Sequence, residues 1–489
     1  MRNFASCQVE PIEVGSEFSN TRLFPFSTMF CSFFSSLFVS VLTIVNVCAN
    51  PLHPPPTGFS VSISRSLRHR PSVNSSSLQA CDLSRIAREC KSLGSKYRDV
   101  DQNFNNTIGL GPIFDTEADP ERPFIQPVLG QTYSAMSLTD YVPDGWLDLM
   151  YYGPVNVGTP PREMTVDIDT GSADLWFSKK QFKHSKSSTL KKSDEDFDVC
   201  YGSGEVSGKL WQDTVSIGGL VVDGQYFGAV SDLSGDFDDL PNDGLLGLAF
   251  GRIAQCGKPT FFENLRAKRK ITSSMFSVHL ARRPGRDNDD SAVCFGCIDP
   301  LKTLGSTIFY IPVIYEAYWA VSMNAMVLTA NKTVLRLPTS IRAIIDTGTS
   351  LIYLPQADVV KFYAAIPGSR HGLQADPEFY TYPCSAVFDI QFEFAGARFS
   401  INLADFNLGK LNEDSSDCVG GILPLSNDFP PDLAIIGEWK HSTLRHFQAS
   451  TNYTAGDEFL KSWYSIFDYT GGPKGGARVG FSPSINNAR

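Results

Sequence analysis

The sequence predicts an all-β molecule of two related lobes with a cleft between them. Three observations carry that expectation. From about Tyr133 onward, apolar and polar residues alternate in short runs broken by Gly, Asn and Asp, the period-two pattern of strands joined by turns. The triplet Asp-Thr-Gly stands twice at the end of an apolar strand. Each copy is followed downstream by two apolar residues and a Gly, so the chain reads as an internal duplication about a pseudo-twofold axis.

Size and composition agree. A chain of 489 residues is too long for one ordinary domain, and 42% apolar residues can fill large cores. The 39 glycines and 30 prolines are scattered rather than periodic, as many short strands joined by turns require. A formal charge of −10 lacks the basic footprint that nucleic acid needs. It is compatible with work at low pH, though many soluble proteins are mildly acidic and charge alone decides no more.

Ahead of the β region the chain changes character. Residues 29–49 are apolar and uncharged, end Val47-Cys48-Ala49, and turn polar and Pro-rich from Asn50. Small residues at those positions predict a cleaved signal peptide, against the rival reading of a signal anchor that spans a bilayer. Residues 1–28 are mixed and slightly acidic, so translation is expected to begin at Met29, leaving 1–28 as an upstream extension. The C-terminus is polar, which argues against a glycolipid anchor. Residues 50–132 are rich in Ser, Pro and Arg, with Arg65, Arg68, His69, Arg70, Arg85, Arg88, Lys91, Lys96 and Arg98 giving a basic cast. A disordered linker is the bland reading. The preferred one is a propeptide whose cations lie across an acidic cleft and leave it as the cleft carboxylates protonate. Sequons stand at Asn74, Asn105 and Asn331.

The eleven cysteines include Cys294-Phe-Gly-Cys297, the spacing of a zinc or redox site. With no second pair at ligand spacing and seven scattered His, a structural pairing is the better reading. Nothing in the chain calls for a metal or organic cofactor.

The first lobe is expected over 133–308. Its strand Met164-Thr-Val-Asp-Ile168 runs into Asp169-Thr170-Gly171-Ser172, and Leu245-Leu246-Gly247 follows. The second is expected over 309–489, where Ala343-Ile-Ile345 runs into Asp346-Thr347-Gly348-Thr349 and Ile435-Ile436-Gly437 follows. One Asp-Thr-Gly is an ordinary polar turn; two on apolar strands, each trailed by a hydroxyl residue, are a constellation. Two carboxylates about 3 Å apart cannot both ionise cheaply, so they share one proton. One can then draw a proton from water while the other gives one to a carbonyl oxygen. Ser172 and Thr349 are expected to bond the outer carboxylate oxygens, and Thr170 and Thr347 to knit the two loops together. Gly at the end of each later strand lets its backbone pass close behind the loop. Cys200-Tyr201-Gly202-Ser203-Gly204 reads as a Gly-tipped hairpin with a packed Tyr.

With these residues in order, the chain from about 133 to 489 resembles the pepsin-like aspartic proteases. Asp169-Thr-Gly-Ser-Ala-Asp-Leu-Trp176, Tyr201-Gly-Ser-Gly204, Asp243-Gly-Leu-Leu-Gly-Leu-Ala-Phe250, Asp346-Thr-Gly-Thr-Ser-Leu351 and the final strands 463–468 and 478–483 all match. The resemblance implies two β-barrel-like lobes, a catalytic pair Asp169 and Asp346, and protein or peptide substrates cut beside large apolar side chains. It implies a flap, with Tyr201, Gly202 and Ser203 closing over substrate and Trp176 as the hydrogen-bond partner of Tyr201. It also implies a Cys384–Cys418 disulfide, a propeptide that inhibits its own cleft, and a secreted or vacuolar destination. Two Asp-Thr-Gly copies in one chain argue for a monomer.

Two stretches depart from that pattern. Residues 177–180, Phe-Ser-Lys-Lys, stand where a longer loop is usual, which puts the nearby subsites and the partner of Cys200 in doubt. Residues 438–456 interrupt the passage from Ile436-Gly437 to Asp457-Glu-Phe-Leu460. They are expected to be a translated, unspliced intron: Gly-Glu-Trp-Lys can encode a splice donor GTGAGT, Thr451-Asn452 a branch-like CTAAC, and Ala455-Gly456 a closing AG. A genuine surface insertion is the alternative. The competing function, from a different class, is a non-catalytic peptide-binding protein on the same fold, which would predict loss of an Asp or of Tyr201.

Overall fold

Strands dominate because the alternation holds in space. In Tyr151–Val157 every second side chain is buried, and Asp196–Tyr201 alternates exposed or half-exposed with buried throughout. The computed structural model describes Ser60–Val61, Leu93, residues 96–97, 134–140 and, with gaps at 179–181, 183–186, 202–203, 235–236, 238–239, 282–290, 372–378, 427–428, 438–458 and 472–474, residues 150–488. The readings of 1–28 and 29–49, most of 50–132, the sequons at Asn74 and Asn105, Gly202 and Ser203, and the stretch 438–456 lie outside the described residues.

Two eight-stranded sheets carry the two halves of the duplication, and the same device occurs in each. In the first, Arg162–Asp169 pairs parallel with Gly244–Gly247, which pairs antiparallel with Leu175–Ser178. In the second, Thr333–Asp346 pairs parallel with Leu433–Gly437, which pairs antiparallel with Ile352–Leu354. The register is identical in kind: Asp169 stands opposite Gly247, and Asp346 opposite Gly437.

A six-stranded sheet joins the halves. It runs Phe309–Pro312, Arg478–Pro483, Trp463–Asp468, Met275–His279, Ala292–Phe295 and Ser134–Ser137, with the seam where Met275–His279 meets Trp463–Asp468 antiparallel. One buried apolar cluster extends from Val155, Val166 and Phe227 of the first sheet, through Phe276 and Phe467 at the seam, to Ile390 and Phe399 of the second. Trp319 locks the joint: its indole N–H donates to Leu248 O at 3.0 Å, and its ring packs on Phe250, Phe467 and Tyr469.

A four-stranded sheet of Arg370–His371, Tyr380–Pro383, Asp417–Gly420 and Asn407–Lys410 completes the second half. The Cys384–Cys418 disulfide fastens it. Cys294 and Cys297 are bonded to each other, so this C-x-x-C is a structural pairing, and Cys200 and Cys256 stand outside both disulfides.

Candidate active site

The two parallel ladders deliver Asp169 and Asp346 to the ends of their strands, and both are fully buried. Each carboxylate is held in the same way. Gly171 N–H donates to Asp169 Oδ1 at 2.9 Å and Ser172 Oγ to Oδ2 at 2.6 Å. Gly348 N–H donates to Asp346 Oδ1 at 2.8 Å, and Thr349 Oγ1 donates to Oδ2. Charge-assisted bonds of this kind fix orientation as well as energy.

The loops clasp across the pseudo-twofold axis. Thr170 N–H donates to Thr347 Oγ1 at 3.1 Å and Thr347 N–H to Thr170 Oγ1 at 2.9 Å. Each hydroxyl passes its own proton to the opposite strand, Thr170 Oγ1 to Ile345 O at 3.0 Å and Thr347 Oγ1 to Ile168 O at 2.8 Å. Every one of these buried polar groups is therefore paired. The approach leaves no room for side chains. A Cβ on Gly171 would come within 2.5 Å of the Asp346 carboxyl, one on Gly247 within 2.6 Å of the Ala173 backbone, and one on Gly437 would strike the Thr349 carbonyl.

The space between the carboxylates is filled from the N-terminal part of the chain. Lys96 Nζ lies 3.0 Å from Asp169 Oδ1 and 2.6 Å from Asp346 Oδ2, and it also donates to Gly348 O at 3.2 Å. Tyr97 O–H donates to the same Asp346 Oδ2 at 2.6 Å, and its ring packs on Tyr318 at 5.7 Å. Burial, then the Asp346 charge, hold the Tyr97 phenol well above its ordinary value, so it stays a donor. Leu93 and Tyr97, joined by Tyr97 N–H to Leu93 O at 3.1 Å, insert into a second apolar cluster with Tyr318, Ile344 and Tyr353. Lys96 appears in the sequence only as one cation among many. Tyr97 and Leu93 carry one sequence signal, an i, i+4 spacing that fits one turn of helix with both side chains on one face.

Tyr201 sits at the end of Asp196–Tyr201, buried against Trp176 and Phe237. The Tyr201 and Trp176 rings pack with centroids 6.3 Å apart. Burial, then the charges of Asp174 and Asp169, push the Tyr201 phenol well up. Asp174, also buried, accepts N–H bonds from Gln255 at 2.8 Å and Cys256 at 3.0 Å, and burial raises its carboxyl above the ordinary range. These bonds tie the loop 254–257 to the Asp169 loop, a role that the motif containing Asp174 does not show. Among the described residues no group of His, Cys, Asp and Glu could hold a metal ion, and no helix is long and apolar enough to cross a membrane.

Comparison with known proteins places this geometry in context. A family model described as eukaryotic aspartyl protease matches residues 150–483. The chain is 34% identical to an aspartic protease of Phaffia rhodozyma over 69% of this chain and 76% of that relative. It is 32% identical to pepsin A of Gallus gallus over 73% of this chain and 89% of that relative. It is 31% identical to cathepsin E of Mus musculus over 70% of this chain and 81% of that relative.

Proposed function

The chain belongs to the eukaryotic aspartyl protease family, and we propose that it is a zymogen whose Asp169 and Asp346 hydrolyse peptide bonds at acidic pH. It is an aspartic-type endopeptidase with protein substrates. The paired carboxylates share one proton because two adjacent negative charges repel, the logic of pepsin's own pair. One carboxylate takes a proton from a water whose oxygen bonds to the carbonyl carbon, while the other protonates the carbonyl oxygen. The tetrahedral intermediate collapses as the amide nitrogen gains a proton and the C–N bond breaks. Ser172 and Thr349 hold the carboxylates for this work, and the Thr170–Thr347 clasp fixes their spacing. One chain supplies both carboxylates, so a monomer suffices.

The observation that carries the zymogen reading is Lys96 Nζ bonded to both carboxylates at once. A cation there occupies the place of water and scissile carbonyl. Acid removes the charge that holds it, and the segment around Lys96 and Tyr97 then leaves the cleft. Residues 29–49 direct such a precursor into the secretory pathway, for export or for a vacuole. The test follows cleavage of denatured haemoglobin by the full chain as pH is lowered. Activity is expected only on acidification, inhibited by pepstatin, and Lys96→Met is expected to become active at a higher pH than wild type. The same onset in both would remove Lys96 from the account.

A further inference from the structure

The sequon Asn331-Lys332-Thr333 forms the tip of the hairpin between Ala320–Ala330 and Thr333–Asp346. Ala330 pairs with Thr333, so Asn331 and Lys332 alone make the turn, with φ of 50° and 67°. Two left-handed residues in a two-residue hairpin loop are the type I′ arrangement, and Asn is among the few residues that accept it without strain. Asn331, Lys332 and Thr333 are all exposed.

Below the tip lies an open sheet edge. Strand Thr333–Asp346 has Ala320–Ala330 on one side along its length, but among the described residues its other neighbour begins to pair only at Arg342. Since Ala330 and Thr333 exchange bonds across the turn, the N–H groups of Val334 and Arg336 point away from the partner strand. The charge of Arg336 and the missing N–H of Pro338 guard the inner part of this edge. Its outer part is Val334 at 58% exposure and Leu335 at 43%, an apolar edge with no second strand paired to it among the described residues.

We infer that Asn331 carries an N-linked oligosaccharide that shields this edge from pairing with other chains. In the transfer, Asn331 Nδ2 loses a proton and bonds to the anomeric carbon of a lipid-pyrophosphate-linked oligosaccharide, whose carbon–oxygen bond to the pyrophosphate breaks. A glycan rooted at the tip stands beside Val334 and Leu335, where a second chain would otherwise add a strand. The inference rests on the secretory reading of residues 29–49.

The test produces the full chain with its own leader in a eukaryotic secretory host. Secreted protein is treated with peptide N-glycosidase in heavy-oxygen water and mapped by mass spectrometry. Labelled Asp is expected at position 331 in wild type and in Thr333→Ser, which keeps the sequon, and is expected to vanish in Thr333→Ala. The deglycosylated protein is expected to self-associate by light scattering, and Val334→Lys to suppress this. Secreted protein with Asn331 unmodified, whether or not Asn74 or Asn105 carries sugar, overturns the inference while the secretory reading stands. Unglycosylated protein retained in the cell overturns both. Modification whose removal leaves association unchanged overturns the shielding role.

Discussion

Thr170 and Thr347 each accept the other's backbone N–H, at 2.9 and 3.1 Å, and so hold two half-molecules in one register at the point where their carboxylates meet. Thr347→Val removes the hydroxyl that accepts from Thr170 N–H and donates to Ile168 O, leaving both buried and unpaired. Each orphaned group costs about 1–3 kcal/mol. The variant is expected to melt several degrees lower and to lose activity mainly in kcat, since the carboxylates shift relative to each other. Thr347→Ser keeps the bonds and is expected to recover most of both. Thermal melts with steady-state kinetics on a peptide substrate check the pair.

Gly437 is required by space. It lies beside Asp346 in the parallel ladder, and a Cβ there would strike the Thr349 carbonyl. Gly437→Ala is expected to push the Asp346 loop outward and to abolish cleavage even where the protein folds. A Gly437→Ala protein with a normal melt and wild-type kcat would show that the strand does not buttress the loop.

Two carboxylates are expected to move stability in opposite directions with pH. Burial raises Asp174, so its contribution is complete below the ordinary carboxylate range, about pH 4, and is lost as pH rises through its elevated value. Bonds from Arg336, and secondarily Arg398, lower Glu393, whose contribution is present above that range and lost as pH falls through its depressed value. In an Asp346→Asn background that cannot digest itself, the Tm of Asp174→Asn relative to its parent is expected to rise with pH. The Tm of Glu393→Gln relative to its parent is expected to rise as pH falls. Parallel trends in the two variants would refute the assignment.

The duplication, the dyad and the strand class were legible because each rests on local pattern: alternation for strands, and a short polar triplet after an apolar run. The clasp could be expected once two triplets were placed face to face. Lys96 could not be singled out from the other basic residues of 50–132, because its partners lie 73 and 250 positions away and no periodicity links them. Asp174 was equally hidden: its burial and its bonds to Gln255 and Cys256 arise from a loop 81 residues downstream. The open edge at Val334 depends on where Leu433–Gly437 stops pairing, a matter of tertiary register that hydrophobic alternation does not encode.

The residues 438–456 give a further prediction. The ladder ends at Gly437, and the buried Phe459 begins the short helix leading into Trp463–Asp468. A chain lacking 438–456 joins these with Asp457 and Glu458 and is expected to fold and cleave at least as well as the full chain. Transcripts across this junction are expected to be mostly spliced. Predominantly unspliced message, with loss of activity on deletion, would instead make the stretch part of the enzyme.

If Asp169 and Asp346 act as one catalytic pair, neither can work without the other. The rate of denatured-haemoglobin cleavage from pH 3 to 7 is measured for acid-treated wild type, Asp169→Asn and Asp346→Asn, with folding checked by thermal melts. Acid-dependent cleavage is expected in wild type and none in either folded variant. Undiminished cleavage by one variant, or none by folded wild type, would refute the pair; the second result would leave a peptide-binding protein on a protease fold.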